Sequence, residues 1–149
     1  MATITLRKAL QTKKTLVGDI AKLKSTIEKF NSQETPNKHI KLAEIHTVYI
    51  AKIDELIALK TAITKANVEI YGAIVAADET KGLIAMYEGL NTSDSTLKRG
   101  LEGQYSTIPL TVYFDYSMVE DKVADLKGKL QGLLDKIDYF NSNTTITIG

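Results

Sequence analysis

Hydrophobic residues recur at helical spacing along the segment 117–140. They fall at Val119, Val123, Leu126, Leu130, Leu133, Ile137 and Phe140. These alternating steps of four and three residues keep one stripe on one side of an α-helix. Ser117 and Glu120 fit a capping box at the start, and Asn141 marks the end. Because a helix of this length is not stable alone with a bare leucine stripe, the segment predicts a helix that packs against partners.

The same spacing predicts three further helices, so that helices are expected over 6–30, 40–66, 78–105 and 117–140. The third depends on leucine repeated every seven residues, at Leu83, Leu90 and Leu97. Four amphipathic helices joined by modest connections favour a mainly α fold. We expect one domain over residues 1–149, an antiparallel up-down four-helix bundle.

Short segments rich in β-branched residues lie between and beyond these helices, at 3–5, 68–75, 107–115 and 144–148. They are predicted to be extended, and Pro109 restricts the third to a sheet edge. In an up-down bundle, the segments 3–5, 68–75 and 144–148 lie at the same end. We therefore expect them to meet there as a small sheet.

The composition narrows the classes of function. Of 149 residues 44% are hydrophobic, and 19 basic residues nearly balance 18 acidic ones. Only Arg7 and Arg99 are arginine, the residue that most often reads phosphate and guanine, so nucleic acid is not an expected partner. The chain has no cysteine, no signal-peptide pattern and no apolar run of about 18 residues. We expect a soluble protein made in the cytoplasm.

The sequence offers no set of residues for catalysis or metal binding. His39 and His46 are the only histidines, with Glu44 between them. Seven residues on a helix span about 10.5 Å, too far for both rings to bind one ion. Phosphate-binding glycine loops, nucleophile elbows and paired-histidine zinc motifs are also missing. We expect no cofactor and no enzymatic activity.

Glycines form the first candidate interface. Gly82, Gly89 and Gly103 recur at one heptad position of the third predicted helix, and Gly128 and Gly132 lie four apart on the fourth. Small residues stacked in this way let a second backbone approach closely. The alternatives are that they are tolerated, at about 1 kcal/mol each relative to alanine, or that the third helix is irregular near Gly100. The interface interpretation predicts a neighbour covering both helices.

Aromatic residues and the β-prone end of the chain complete the candidates. Tyr105, Tyr113, Phe114 and Tyr116 surround the crossing before the fourth helix, and tyrosine is favoured at interfaces. A cap on the end of the bundle is the alternative. The terminal segment, with Ile146 and Ile148, offers backbone pairing to a partner.

Two short motifs carry a resemblance to a known family. The second predicted helix closes on a stretch that keeps Ile63 and Asn67, and the fourth ends on one with Leu133, Lys136, Ile137 and Asn141. With the order of its segments, the chain resembles the small bacterial family often labelled septicolysin-like. Ser142 stands where that family has tryptophan. The resemblance implies a membrane-active or pore-forming protein.

The residues themselves favour another function. We expect a non-enzymatic structural or assembly protein, a helical bundle that contacts copies of itself or a larger shell, as the components of a phage virion do. The alternative is the septicolysin-like pore-forming function.

Overall fold

A computed structural model describes residues 2–32, 40–93, 96–99 and 106–148. Within these ranges the chain is mainly helical, with four helices and two small antiparallel sheets of two strands each. In chain order the elements are β1 (Ala2–Thr5), α1 (Leu6–Phe30), α2 (Leu42–Asn67), α3 (Tyr71–Glu88), β2 (Thr96–Arg99), β3 (Ser106–Pro109), α4 (Tyr116–Asn143) and β4 (Thr145–Ile148). They form two compact units, one of residues 1–71 with 138–149 and one of residues 72–137.

The first unit packs α1 and α2 against the β1–β4 sheet. Its buried core consists of Leu6, Ala9, Leu16, Leu59, Ile63 and Ile146. Because the first residue of α1 and the last turns of α2 share this core, the two helices are antiparallel. A partly buried ion pair between Lys52 and Asp19, at 3.5 Å, joins the middles of the two helices.

The ends of the described chain are held together in that unit. β1 and β4 pair antiparallel, with Ala2 opposite Ile148 and Ile4 opposite Ile146. The Leu6 N–H donates to the Thr144 carbonyl at 2.8 Å, which extends the ladder into α1. Thr5 caps α1, since its hydroxyl accepts from the Lys8 N–H at 3.3 Å.

The second unit packs the end of α3 against the start of α4. Ile84, Val119 and Val123 are buried together, with Tyr87, Leu90, Phe114, Leu126 and Leu130 partly buried around them. Thr80 is also buried on α3, and its hydroxyl donates to the Ala76 carbonyl at 2.6 Å. β2 and β3 pair antiparallel, with Thr96 opposite Pro109.

The expected capping box of α4 is wrong, because the helix begins before Ser117. The Asp115 carboxylate accepts from the Met118 N–H at 2.8 Å, and the Val119 N–H donates to the Asp115 carbonyl. The cap is therefore Asp115. At the other end of α4, the Ser142 hydroxyl and the Asn143 side-chain amide donate to the backbone carbonyls four residues earlier, at 2.7 and 2.8 Å. These bonds carry the helix three residues beyond Phe140.

The extended segment expected at 68–75 is wrong. A turn at residues 68–70, closed by the Ile70 N–H to the Asn67 carbonyl at 3.1 Å, leads directly into α3. Ile70, Ala77 and Ile84 are buried and lie seven residues apart. Residues at this spacing fall on the same face of an α-helix. The β-branched residues of this run were a weaker signal than that repeat, because a short apolar run fits a helix or a strand. The expected sheet of three segments therefore has two strands, β1 and β4.

The helix expected over 78–105 is also wrong at both ends. α3 begins at Tyr71 and stops at Glu88, and residues 96–99 form β2 instead. Beyond Glu88, the Gly89 N–H bonds the Ala85 carbonyl and the Leu90 N–H bonds the Tyr87 carbonyl at 3.2 Å, while the Asn91 side chain accepts from the Ser93 N–H. Such turn chemistry ends a helix. The extended segment expected at 107–115 contains only the last residues of β3 before an irregular approach to α4.

The predicted helical class is confirmed, with its small antiparallel sheet. One up-down bundle of all four helices, and one domain over residues 1–149, stay predictions. Among the described residues, no helix combines the length and the apolar character needed to cross a membrane.

Candidate interaction surface

An aromatic cluster lies where the approach to α4 meets the end of α3. The rings of Tyr87 and Phe114 meet edge to face with centroids 5.7 Å apart, and those of Tyr113 and Phe114 do so at 4.8 Å. Both geometries are favourable for aromatic pairs. Phe114 is half-buried, whereas Tyr113 is 82% exposed. The cluster thus anchors one ring in the unit and presents another to solvent.

A groove of about 420 Å³ continues from this cluster between α3 and α4. Val119 and Val123 form an apolar floor, and Tyr87 and Tyr116 are among the side chains around it. An ion pair between Lys127 and Glu88, at 3.1 Å, lies on its rim. Apolar surface beside amphipathic rings and a charged rim is the composition of a protein-binding surface.

Tyr116 is held at this groove by Glu120 one turn further along α4. Its hydroxyl donates to a Glu120 carboxylate oxygen at 2.9 Å. This hydrogen bond, and then the negative charge of Glu120, raise the pKa of Tyr116 above its usual value. The single O–H of Tyr116 is therefore used as a hydrogen-bond donor to Glu120.

Metal ligation finds no support in the part of the chain that the structure describes. It contains no group of three or more His, Cys, Asp or Glu residues that could hold an ion. His46 is exposed on α2, and His39 lies outside the described residues.

The predicted interface glycines separate into different environments. Gly82, Gly128 and Gly132 are exposed on their helices, and a Cβ at any of them would meet no atom within 4 Å. Gly89 follows the last residue of α3, and a Cβ there would lie 3.3 Å from the Ala85 carbonyl oxygen. Gly103 lies outside the described residues, as does Tyr105. The glycine pair of α4 is the part of this prediction that forms a continuous open surface.

The terminal isoleucines do not lie where an interface would need them. Ile146 is 7% exposed in the core of the first unit, and Ile148 packs against that core. The Leu6 N–H donates to the Thr144 carbonyl, and hydrogen-bonded pairs alternate along an antiparallel ladder. The pairs Ile4–Ile146 and Ala2–Ile148 are therefore the ones that hydrogen-bond to each other. The backbone groups of Thr145 and Thr147 consequently point away from β1. β4 offers a backbone edge and not its isoleucine side chains.

Sequence reasoning missed the part that Tyr87 and the Glu88–Lys127 pair take in the groove. The heptad of leucines extends the third predicted helix through Leu90 and Leu97, and Tyr87 is not among the residues that it singles out. The sequence Gly89–Leu90–Asn91 was the available signal, because glycine and asparagine end helices.

No family model, no curated protein and no solved structure matches this chain. The septicolysin-like resemblance stays a prediction.

Proposed function

We propose that this chain is a non-enzymatic structural subunit that contacts copies of itself or a larger shell. The observation that carries the proposal is the tyrosine-rimmed groove of the second unit. Tyr116 is 64% exposed beside a floor of valine side chains, and Tyr113 is 82% exposed in the adjoining aromatic cluster. A phage virion is the setting that we name for such a subunit.

The physical basis is the side-chain surface area of these tyrosines that is exposed to solvent. A tyrosine that becomes buried at an interface covers about 150–250 Å² while its hydroxyl still finds a partner. Residues of this type carry a large share of the binding energy at protein interfaces. The Tyr116 hydroxyl already donates to Glu120, so its oxygen remains as an acceptor for a group across such an interface.

The proposal includes the finer architecture expected from the sequence. In a subunit of this kind the helices follow one another up and down, and the antiparallel pair α1–α2 supports that order. We propose that the protein is soluble when made in the cytoplasm and is then incorporated into its assembly.

The test is the mass of the protein in solution. The single chain has a mass of 16.4 kDa, and sedimentation equilibrium should give a multiple of it or a complex with a co-purified partner. Tyr116→Ser should weaken this association by about tenfold, the effect of losing one interface anchor. Tyr71→Ser is the matched control, because Tyr71 is also the first residue of a helix and is also 64% exposed.

A wild-type protein that is strictly monomeric and carries no partner would contradict the proposal. If Tyr116→Ser and Tyr71→Ser weakened the association equally, the groove would not be the surface that forms the contact. Dye release from liposomes, measured on the same preparation, would instead favour the pore-forming alternative.

A further inference from the structure

The outward face of α1 carries basic residues and no acidic ones. Positions 7, 11, 14, 18, 22, 25 and 29 recur at steps of three and four, and all are exposed. The charged or small members of this basic face are Arg7, Lys14, Gly18, Lys22 and Lys29. The remaining two, Gln11 and Ser25, are uncharged, so the face carries no carboxylate.

The outward face of α4 has the opposite charge. Positions 117, 121, 125, 128, 132, 135 and 139 are likewise all exposed at helical spacing. The charged or small members of this acidic face are Asp121, Asp125, Gly128, Gly132 and Asp135. Lysines lie on the neighbouring flank of the helix, where Lys122, Lys129 and Lys136 recur every seven residues.

We propose that the basic face of α1 in one copy docks on the acidic face of α4 in a second copy. Each face spans 23 residues, about 33 Å of helix from first to last, so the two match in length and are opposite in charge. Gly18 on one face and Gly128 and Gly132 on the other have open space where a Cβ would stand. The helices can therefore approach closely between the charged residues.

Several of these charged side chains have no partner among the residues that the structure describes. Arg7 pairs with Asp138, and Gln131 donates to Asp135 at 2.7 Å. The side chains of Lys14, Lys22, Asp121 and Asp125, in contrast, form no ion pair or hydrogen bond with the residues that the structure describes. These unpaired cations lie on α1 and these unpaired anions lie on α4. A second copy therefore supplies a partner of opposite charge for each of them.

The second copy is favoured over an anionic polymer or membrane because each chain carries both complementary faces. A contact between two different faces is heterologous, so it can repeat from copy to copy. This inference rests on the proposed structural function and specifies the partner of two surfaces. Since exposed ion pairs are individually weak and are screened by salt, the contact should weaken as ionic strength rises.

The experiment is a charge swap, measured by sedimentation equilibrium in about 50 mM and about 500 mM salt. Lys14→Glu with Lys22→Glu should weaken self-association by about tenfold or more in low salt, as should Asp121→Lys with Asp125→Lys. Combining all four substitutions restores the net charge of +1 and should restore association. An equimolar mixture of the two double variants should also associate.

The control is Lys60→Glu with Lys65→Glu, which changes the net charge equally on exposed positions of α2. It should leave association within about twofold of the wild type, because both residues lie outside the two faces. A steric variant, Gly128→Leu with Gly132→Leu, should block docking while circular dichroism shows unchanged helix content, since both positions are open.

The outcomes separate this inference from the proposed function. Association of the wild type that is unaffected by the swaps, or not restored by combining them, would overturn the inference and leave the structural function standing. A monomeric wild type without any partner would overturn both. Binding to anionic lipid vesicles that needs Lys14 and Lys22, with self-association unchanged in their double variant, would reassign the basic face and overturn the docking of copies.

Discussion

Replacing Leu59 tests whether the first unit depends on its buried core. Leu59 is 1% exposed and packs among Leu6, Ala9, Leu16 and Ile63. Leu59→Ala removes three carbons from the core, which costs about 2.5 kcal/mol in transfer free energy. The volume left behind adds about 1–2 kcal/mol. We expect the free energy of unfolding to fall by about 3–4 kcal/mol, a large share of the roughly 5–15 kcal/mol typical of a domain.

Ile57→Ala is the matched control on the same helix. It also removes three carbons, but Ile57 is 58% exposed. The lost burial costs about 1 kcal/mol, and the higher helix propensity of alanine recovers about 0.4 kcal/mol of it. We expect a net loss of about 0.5 kcal/mol.

Urea unfolding followed by circular dichroism measures both losses. Hydrogen exchange read by mass spectrometry should place the lost protection of Leu59→Ala in α1, α2 and the β1–β4 sheet. If the two substitutions lower stability equally, or if the lost protection lies only in α3 and the first part of α4, the assignment of the core would be refuted.

Two further predictions concern α4. Asp115→Ala should lower the free energy of unfolding by about 1 kcal/mol, because it removes the cap of the Met118 N–H, whereas Asp115→Asn should retain most of it; equal stability of the two in urea unfolding would contradict the cap. Glu120→Gln should lower the pKa of Tyr116, obtained as the difference in alkaline absorbance titrations with and without Tyr116→Phe. Because the pKa is raised in the folded state, the stability that this bond contributes is present below the pKa of the unfolded chain. It should be lost as the pH rises through the folded pKa; an unchanged titration in Glu120→Gln would refute the role of Glu120.

The long amphipathic helices were predictable because their stripes are buried against other elements. In α4 the stripe begins with Val119 and Val123, which the structure buries, and α1 spans the residues over which its stripe was read. The pairing of β1 with β4 also followed from sequence, since two β-prone segments at opposite ends of the chain can meet only if the helices between them return. Periodicity and burial agree in these cases.

The third helix could not be placed because its signals conflicted. Leucine recurs every seven residues past Gly89, and this repeat carried more weight than the turn residues that follow Glu88. In the structure local hydrogen bonds end the helix there, and residues 96–99 pair with 106–109 instead. A heptad of three leucines does not distinguish one helix from a helix followed by a strand, since each leucine needs only local burial.

The candidate surface was half predictable for a similar reason. Tyr113, Phe114 and Tyr116 cluster in sequence and also in space. Tyr87 joins them only because α3 ends where it does, and the Glu88–Lys127 pair depends on the register of α3 against α4. Ile146 was expected at an interface because β-prone ends attract partners, but its burial against α1 and α2 satisfies it within the chain.

The pairing of β1 with β4 determines the order in which the protein can fold as it is synthesised. The core around Leu6 and Leu59 lacks Ile146 until the residues that follow α4 have been synthesised. Residues 72–137, in contrast, form an uninterrupted unit that is fully synthesised before β4 exists. Early domains usually fold first during synthesis, but here the middle of the chain can complete its core before the beginning does. Until then the apolar faces of α1 and α2 lack their last covering strand, and closing that long loop slows the final step.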